Sequence, residues 1–188
     1  MIVRNKSKKK IVDAFLNLSG KIDIEDISIN SIINITGISR GTFYNHFKNK
    51  KDILSFIEIN LCHEIDMAFE EVNSHQPNTF HDFIRGILPV LYENREYNKV
   101  LLTYYQSNFY DFVLKRYNEY VLPYFDHYDE KIIGVPKYFM VKFFSMTIMT
   151  VIFLWLTEPI PLPPKDFEPA FIKIINSSIK DVCDINFS

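Results

Sequence analysis

Glycine and cysteine are scarce in this chain, with five glycines and two cysteines, Cys62 and Cys183, in 188 residues. Two cysteines cannot build a disulfide framework, and they point to a reducing, intracellular setting. So few glycines argue against a glycine-rich phosphate loop; neither GxGxxG nor a Walker loop is present, nor is GxSxG. The histidines (His46, His63, His75, His81, His127) show no HxxxH or HExxH spacing, and no CxxC accompanies them. Neither a metal site, a cofactor nor a catalytic role is therefore expected. A long apolar run is missing too. The longest uncharged stretch, Phe143 to Thr157, has 15 residues, short of the roughly 20 that span a bilayer, so a buried helix is expected there. Met1 to Lys10 is basic and precedes an apolar stretch, as in a signal peptide, but Asp13 and Asn17 interrupt it and no small-residue cleavage site follows. A cytoplasmic protein with no membrane partner is the expectation.

What remains is a globular composition rich in core-building side chains: 47% apolar and 23% charged residues, with 17 Phe and 11 Tyr. That excludes wholesale disorder and allows one domain, or a small one fused to a modest one. The net charge of −2 conceals a dipolar chain. Residues 1–51 hold 10 Lys and Arg against 4 Asp and Glu, whereas residues 52–188 hold 11 against 19. A basic quarter on an acidic body suggests a module for a polyanion, with nucleic acid the obvious one. For Arg4 to Lys10 alone a solvated lysine tail explains the charge equally well. Arg40, Lys48, Lys50 and Lys51 extend it beyond a tail.

Helical periodicity runs through the whole sequence, and no strand alternation of useful length occurs. Ile11, Val12, Phe15, Leu16 and Leu18 fall on one side of a helix over Lys8–Leu18, ended by Ser19-Gly20. Ser28 is an N-cap for a short helix with Ile29, Ile32 and Ile33 inward. Gly37 stands where a left-handed residue closes it. Ser39 caps a third helix, Arg40 to Phe47. A long fourth helix is expected from Asp52 to about Asn73. Others follow at about Thr79–Tyr92, Glu93–Thr103, Asn108–His127, Pro136–Thr157 and Lys165–Cys183, divided by Pro77, Pro136 and the proline-rich segment from Pro159 to Pro164. The expected fold is all-α with about nine helices. Ser28 to Phe47 has the layout of a helix-turn-helix: one helix braces, and the next offers its N-terminal residues to a major groove. Phe43 and Phe47, four apart, dock that second helix on the body.

From Ser28 to Leu54 the sequence resembles the TetR-type (TetR/AcrR) transcriptional regulators. Gly37-Ile38-Ser39-Arg40-Gly41-Thr42-Phe43-Tyr44-Asn45-His46-Phe47-Lys48-Asn49-Lys50-Lys51-Asp52-Ile53 fits the signature G-[VI]-S-x-G-[TS]-[FLI]-Y-x-[HY]-F-x-[NDS]-K-x-x-[IL] at every specified position. Two departures stand beside it. Ile33 and Thr36 occupy places that family members usually give to small residues, which puts the packing of the second helix in question. Leu18-Ser19-Gly20 replaces the usual aromatic-glycine end of the first helix.

The resemblance implies a helix-turn-helix DNA-binding domain over residues 1–51. A helical effector-binding and dimerisation domain would follow over residues 52–188. It implies phosphate contacts for Ser28, Tyr44, His46 and Lys50. The expected base readers are Arg40, Thr42 and Asn45, beside the Ser39 cap, with Gly41 leaving room for a groove wall or a thymine methyl. Phe43 and Phe47 are expected in the core. A homodimer through the last two helices, on a palindromic operator of double-stranded DNA, is implied as well. The apolar surface around Tyr138, Phe139, Phe143, Met146 and Trp155 fits that interface, and the central helix of a monomer is the alternative. A small-molecule effector would lie among Tyr97, Leu101, Tyr104, Tyr105, Phe109, Phe112, Phe143 and Trp155, although residues of this kind are more often ordinary core than pocket lining. Release of a repressor by that effector is the functional expectation. The alternative is an activator, or a regulator controlled by a protein partner. Leu88 to Arg95 and Phe153 to Leu156 resemble a subgroup that includes an activator of a dihydroxyacetone kinase operon.

Overall fold

A computed structural model of the chain describes residues 5–75, 79–104 and 106–177. The fold is all-α. The helices are α1 (Lys6–Ser19), α2 (Ile29–Thr36), α3 (Arg40–Tyr44), α4 (Lys50–Ser74), α5 (Phe80–Glu93), α6 (Arg95–Tyr104), α7 (Gln106–Val121), α8 (Glu130–Ile133), α9 (Lys137–Thr157) and α10 (Pro164–Asn176). Short 3-10 turns lie at Ile24–Asp26 and Leu122–Phe125, and no strand occurs among the described residues. The chain groups into two compact units, residues 1–67 with 94–113, and residues 68–93 with 114–188.

In the first unit the starts of the first four helices have local causes. Asn5 caps α1, its side-chain oxygen accepting from the N–H groups of Ser7 and Lys8. The apolar stripe of α1, Ile11, Val12, Ala14 and Phe15, is buried, and α1 packs on both α2 and α6. Ser28 caps α2, and Gly37, at φ +67°, closes it with an N–H bond to the Ile33 carbonyl at 2.9 Å. Thr36 fits without a small side chain because its hydroxyl turns back on its own helix, donating to the carbonyls of Ile32 and Ile33. The third helix is shorter than its sequence suggests. It stops at Tyr44 and Asn45 caps it, yet Phe43 and Phe47 are both buried as expected. The fourth begins at Lys50, two residues earlier than expected. Asn49 Oδ1 accepts from the Asp52 N–H at 3.0 Å, and Asp52 Oδ2 accepts from the Lys48 N–H at 2.8 Å. This reciprocal arrangement satisfies one orphan donor of the helix, the Asp52 N–H, and the Lys48 N–H just before it.

In the second unit α5 packs on α10, and α9 packs on α10 and on the turn at Leu122–Phe125. Gly86 permits the close approach of α5 to the end of α4, since a Cβ there would lie 2.6 Å from a Val72 methyl. Trp155 is the centre of an aromatic stack, with Phe167 at 4.2 Å between centroids and Tyr92 at 5.8 Å. Its indole N–H donates to the Leu162 carbonyl at 2.9 Å, which ties the proline-rich segment to α9. The helix expected over Asn108–His127 instead stops at Val121. Pro123 cannot donate the N–H that would continue the ladder, and the chain tightens into a 3-10 turn. One helical turn, α8, stands where a plain connection was expected. Asp129 caps it through the Lys131 N–H, and Gly134 ends it at φ +74°. Helix α10 ends at Asn176, where Ser177 turns extended; the rest of the expected Lys165–Cys183 helix lies outside the described residues.

Helix α9 is long and apolar enough to cross a membrane by length and composition. In this fold it is two-faced. Val141, Ser145, Ile148, Met149, Ile152, Trp155 and Leu156 are buried, and the Ser145 hydroxyl bonds to the Asn118 side chain and the Val141 carbonyl. On the same helix Tyr138, Phe139, Phe143, Met146 and Leu154 are exposed, at 73%, 56%, 54%, 45% and 57%.

Candidate nucleic-acid interface

The residues expected to meet DNA all lie in the first compact unit, on α2, the turn, α3 and the joint to α4. Ser28, Ser39, Arg40, Gly41, Tyr44 and Asn45 are exposed, and Thr42, His46 and Lys50 are half-buried. Buried Phe43 anchors the short helix from below, with Tyr44 packed edge-on to it at 5.5 Å and Phe47 at 6.4 Å. An apolar underside on a five-residue helix leaves its polar face turned outward. Ser39 makes the N-terminal turn regular. Its hydroxyl accepts from the Thr42 N–H at 3.0 Å and pairs with the Thr42 hydroxyl at 2.8 Å. Ser28 does the same for α2 with Ser31, at 3.0 and 2.7 Å. Both serines therefore have a structural role that any phosphate contact must share. A Cβ on Gly41 would meet only the Ser39 hydroxyl, at 3.8 Å. The fold does not itself require a glycine there, which suits a position reserved for close approach from outside.

Lys50 has a structural role beside the contact expected of it. Its ammonium donates to the carbonyls of Ile24 at 2.8 Å and Glu25 at 2.6 Å, tying the start of α4 to the turn before α2. Three N–H donors on an ammonium leave one for a phosphate. Two further braces were not legible in the sequence. Lys8 lies over the Phe47 ring at 5.8 Å and the Phe56 ring at 4.7 Å, so this lysine of the basic start packs on the body by cation–π attraction. Arg40 Nη2 donates to Asn30 Oδ1 at 2.9 Å, bridging α2 and α3. No periodicity predicts either pair; each depends on two helices meeting.

The residues expected around an effector fall in both units. Tyr97, Leu101 and Phe109 belong to the first, and Phe143 and Trp155 to the second. Leu101 and Phe109 are buried and Tyr97 is half-buried. Burial and the nearby Asp13 carboxylate raise the Tyr97 hydroxyl above its usual value, against the opposing charge of Lys9. Trp155 belongs to the aromatic stack, while Phe143 lies on the exposed side of α9. Tyr105, and the side chain of Tyr104, lie outside the described residues. Tyr117 was missed by the sequence reading. Its hydroxyl is buried and has no hydrogen-bond partner among the described residues. Burial, with Tyr124 beside it, drives that hydroxyl far above the normal tyrosine range. A buried polar group in that state costs about 1–3 kcal/mol. Cys62 is held as the thiol, pushed up to about 12 by burial and then by the charges of Glu58 and Asp66.

A helix-turn-helix with a polar outer face, in an all-α chain, is the arrangement by which a protein can offer one helix to a major groove. A family profile described as a transcriptional regulator C-terminal region matches residues 78–177, more than half of the chain. The chain belongs to the TetR/AcrR family of transcriptional regulators. Solved structures share the fold. A TetR-family regulator from Aquifex aeolicus VF5 aligns with a TM-score of 0.65 at 18% identity, covering 90% of this chain and 99% of that one. A TetR regulator from Streptococcus agalactiae 2603V aligns at 0.59 and 20% identity, covering 90% and 93%. A structure named dihydroxyacetone kinase operon activator DhaS aligns at 0.57 and 20% identity, covering 90% and 94%. No curated protein matches the sequence significantly.

Proposed function

We propose that this chain is a homodimeric, cytoplasmic repressor, without catalytic activity, that reads a palindromic operator and lets go when a small molecule binds its second domain. In this reading residues 1–51 form the DNA-binding domain and residues 52–188 the effector-binding and dimerising one. The observation that carries it is the α2–turn–α3 unit. Its caps and buried phenylalanines fix the backbone, while Arg40, Gly41, Tyr44 and Asn45 stay exposed. Arg40, Thr42 and Asn45 read bases; Ser28, Tyr44, His46 and Lys50 contact phosphates. Dimerisation uses α9 and α10. The exposed aromatic and methionine side of α9 supports this, because a monomer in water rarely leaves such a contiguous apolar surface uncovered. The unsatisfied Tyr117 hydroxyl supports an effector that brings a hydrogen-bonding group into the second domain. The effector shifts the equilibrium only by its differential affinity for the DNA-bound and released conformations.

A second reading, activation of transcription, is favoured by the fold likeness to the dihydroxyacetone kinase operon activator. Transcription from a template carrying the protein's selected binding sequence separates the two. Transcript that falls as protein is added supports a repressor; transcript that rises supports an activator.

A further inference from the structure

The guanidinium of Arg40 is already held before any DNA arrives. Its Nη2 donates to Asn30 Oδ1 at 2.9 Å. Asn30 is the second residue of α2 and Arg40 the first of α3, and the left-handed turn at Gly37 lies between them. Both side chains are exposed, so the bond is no part of the core. Nor is Asn30 needed to start its helix, since Ser28 is the cap. An exposed pair of this kind adds little to folding stability. Its effect falls on the long arginine side chain, whose rotamer freedom must be lost before a fork can meet a base edge. Arg has five N–H donors, and one goes to Asn30. Four remain, and a bidentate contact with guanine O6 and N7 takes two.

We propose that Asn30 is a positioning residue for base recognition. It sets the Arg40 guanidinium at the mouth of the major groove, so that the pair reads one guanine-bearing base pair in each half-site. The inference rests on the assignment of Arg40 as a base reader. Because the two residues sit on different helices, discrimination at that base pair also depends on the α2–α3 angle.

The test starts from the sequence selected by the parent protein. Arg40→Ala flattens preference at one base pair per half-site. Asn30→Ala lowers preference at that same base pair about 3- to 10-fold, the range one hydrogen bond confers. It leaves affinity for the duplex substituted at that base pair, and the salt slope, unchanged. Asn30→Asp keeps the acceptor, so it retains the preference while weakening all duplexes through its added negative charge. If Asn30→Ala keeps the parent's preference, or weakens all duplexes equally, the positioning role is overturned while base reading by Arg40 stands. If Arg40→Ala itself leaves every position unchanged, the assignment beneath the proposal fails and the proposal falls with it.

Discussion

Removing the Lys50 side chain tests both the brace that its ammonium makes and the phosphate contact proposed for the same group. Lys50 Nζ donates to two backbone carbonyls, of Ile24 and Glu25, at 2.8 and 2.6 Å. A charged hydrogen bond nets about 1.5–3 kcal/mol. This pair shares one half-exposed donor, so Lys50→Ala is expected to cost about 1–3 kcal/mol. For a chain of this size that lowers the melting temperature by about 2–12 °C, measured at one protein concentration because the proposed dimer would make it concentration-dependent. The third N–H of the ammonium is available to a phosphate. Each lost phosphate contact reduces the slope of log K against log salt by about 0.9, and a dimer loses two. Thermal melting by circular dichroism reads the first effect, and DNA-binding titrations at several salt concentrations read the second. The variant is expected to weaken every duplex alike, with a slope lower by about 2. An unchanged melting temperature would refute the brace, and an unchanged slope would refute the phosphate contact.

Other perturbations test separate parts of the account. Met146→Asp puts a charge on the exposed side of α9, where the side chain is 45% accessible in the single chain; sedimentation is expected to give a folded monomer with operator affinity reduced at least about tenfold, as loss of two-site binding requires. A variant that remains dimeric would move the interface elsewhere. Glu168 accepts hydrogen bonds from His81 Nε2 at 2.7 Å and Arg85 Nε at 3.0 Å, joining α10 to α5. Burial alone would raise its carboxyl, but the hydrogen bonds and charges of Arg85 and His81 outweigh that and hold it below its usual value. A depressed carboxyl contributes stability above the unfolded-state value and loses it as pH falls through the folded one. Glu168→Gln is therefore expected to cost about 0.5–1 kcal/mol at neutral pH, with the difference shrinking in denaturant titrations once the pH falls below the usual carboxylate range. A difference that persists there would assign the effect to packing.

The helix-turn-helix was legible because its signals are local. Ser28, Gly37 and Ser39 act through their own backbone, and each takes its expected capping role. Burial of Phe43 and Phe47 followed from their spacing. Helix ends were harder where a proline inside a long apolar pattern decided them, as Pro123 did for α7. Least legible were contacts between elements distant in sequence. Lys50 meets the carbonyls of Ile24 and Glu25, Lys8 the rings of Phe47 and Phe56, and Glu168 the side chains of His81 and Arg85. A lysine in a basic run reads as a phosphate ligand, and only the fold shows that a carbonyl or an aromatic face also lies within its reach. The aromatic-rich body gave the weakest signal for a site. In the sequence Trp155 reads as core more readily than as pocket wall, and only the fold shows its stack with Tyr92 and Phe167.

The central claim is sequence-specific DNA binding by a two-fold dimer, and selection of random duplexes on the purified full chain tests it most directly. Sequencing the retained pool is expected to yield two inverted half-sites about one helical turn apart. Arg40→Ala and Asn45→Ala should each relax preference within both half-sites. A retained pool indistinguishable from the input at moderate salt would contradict the claim.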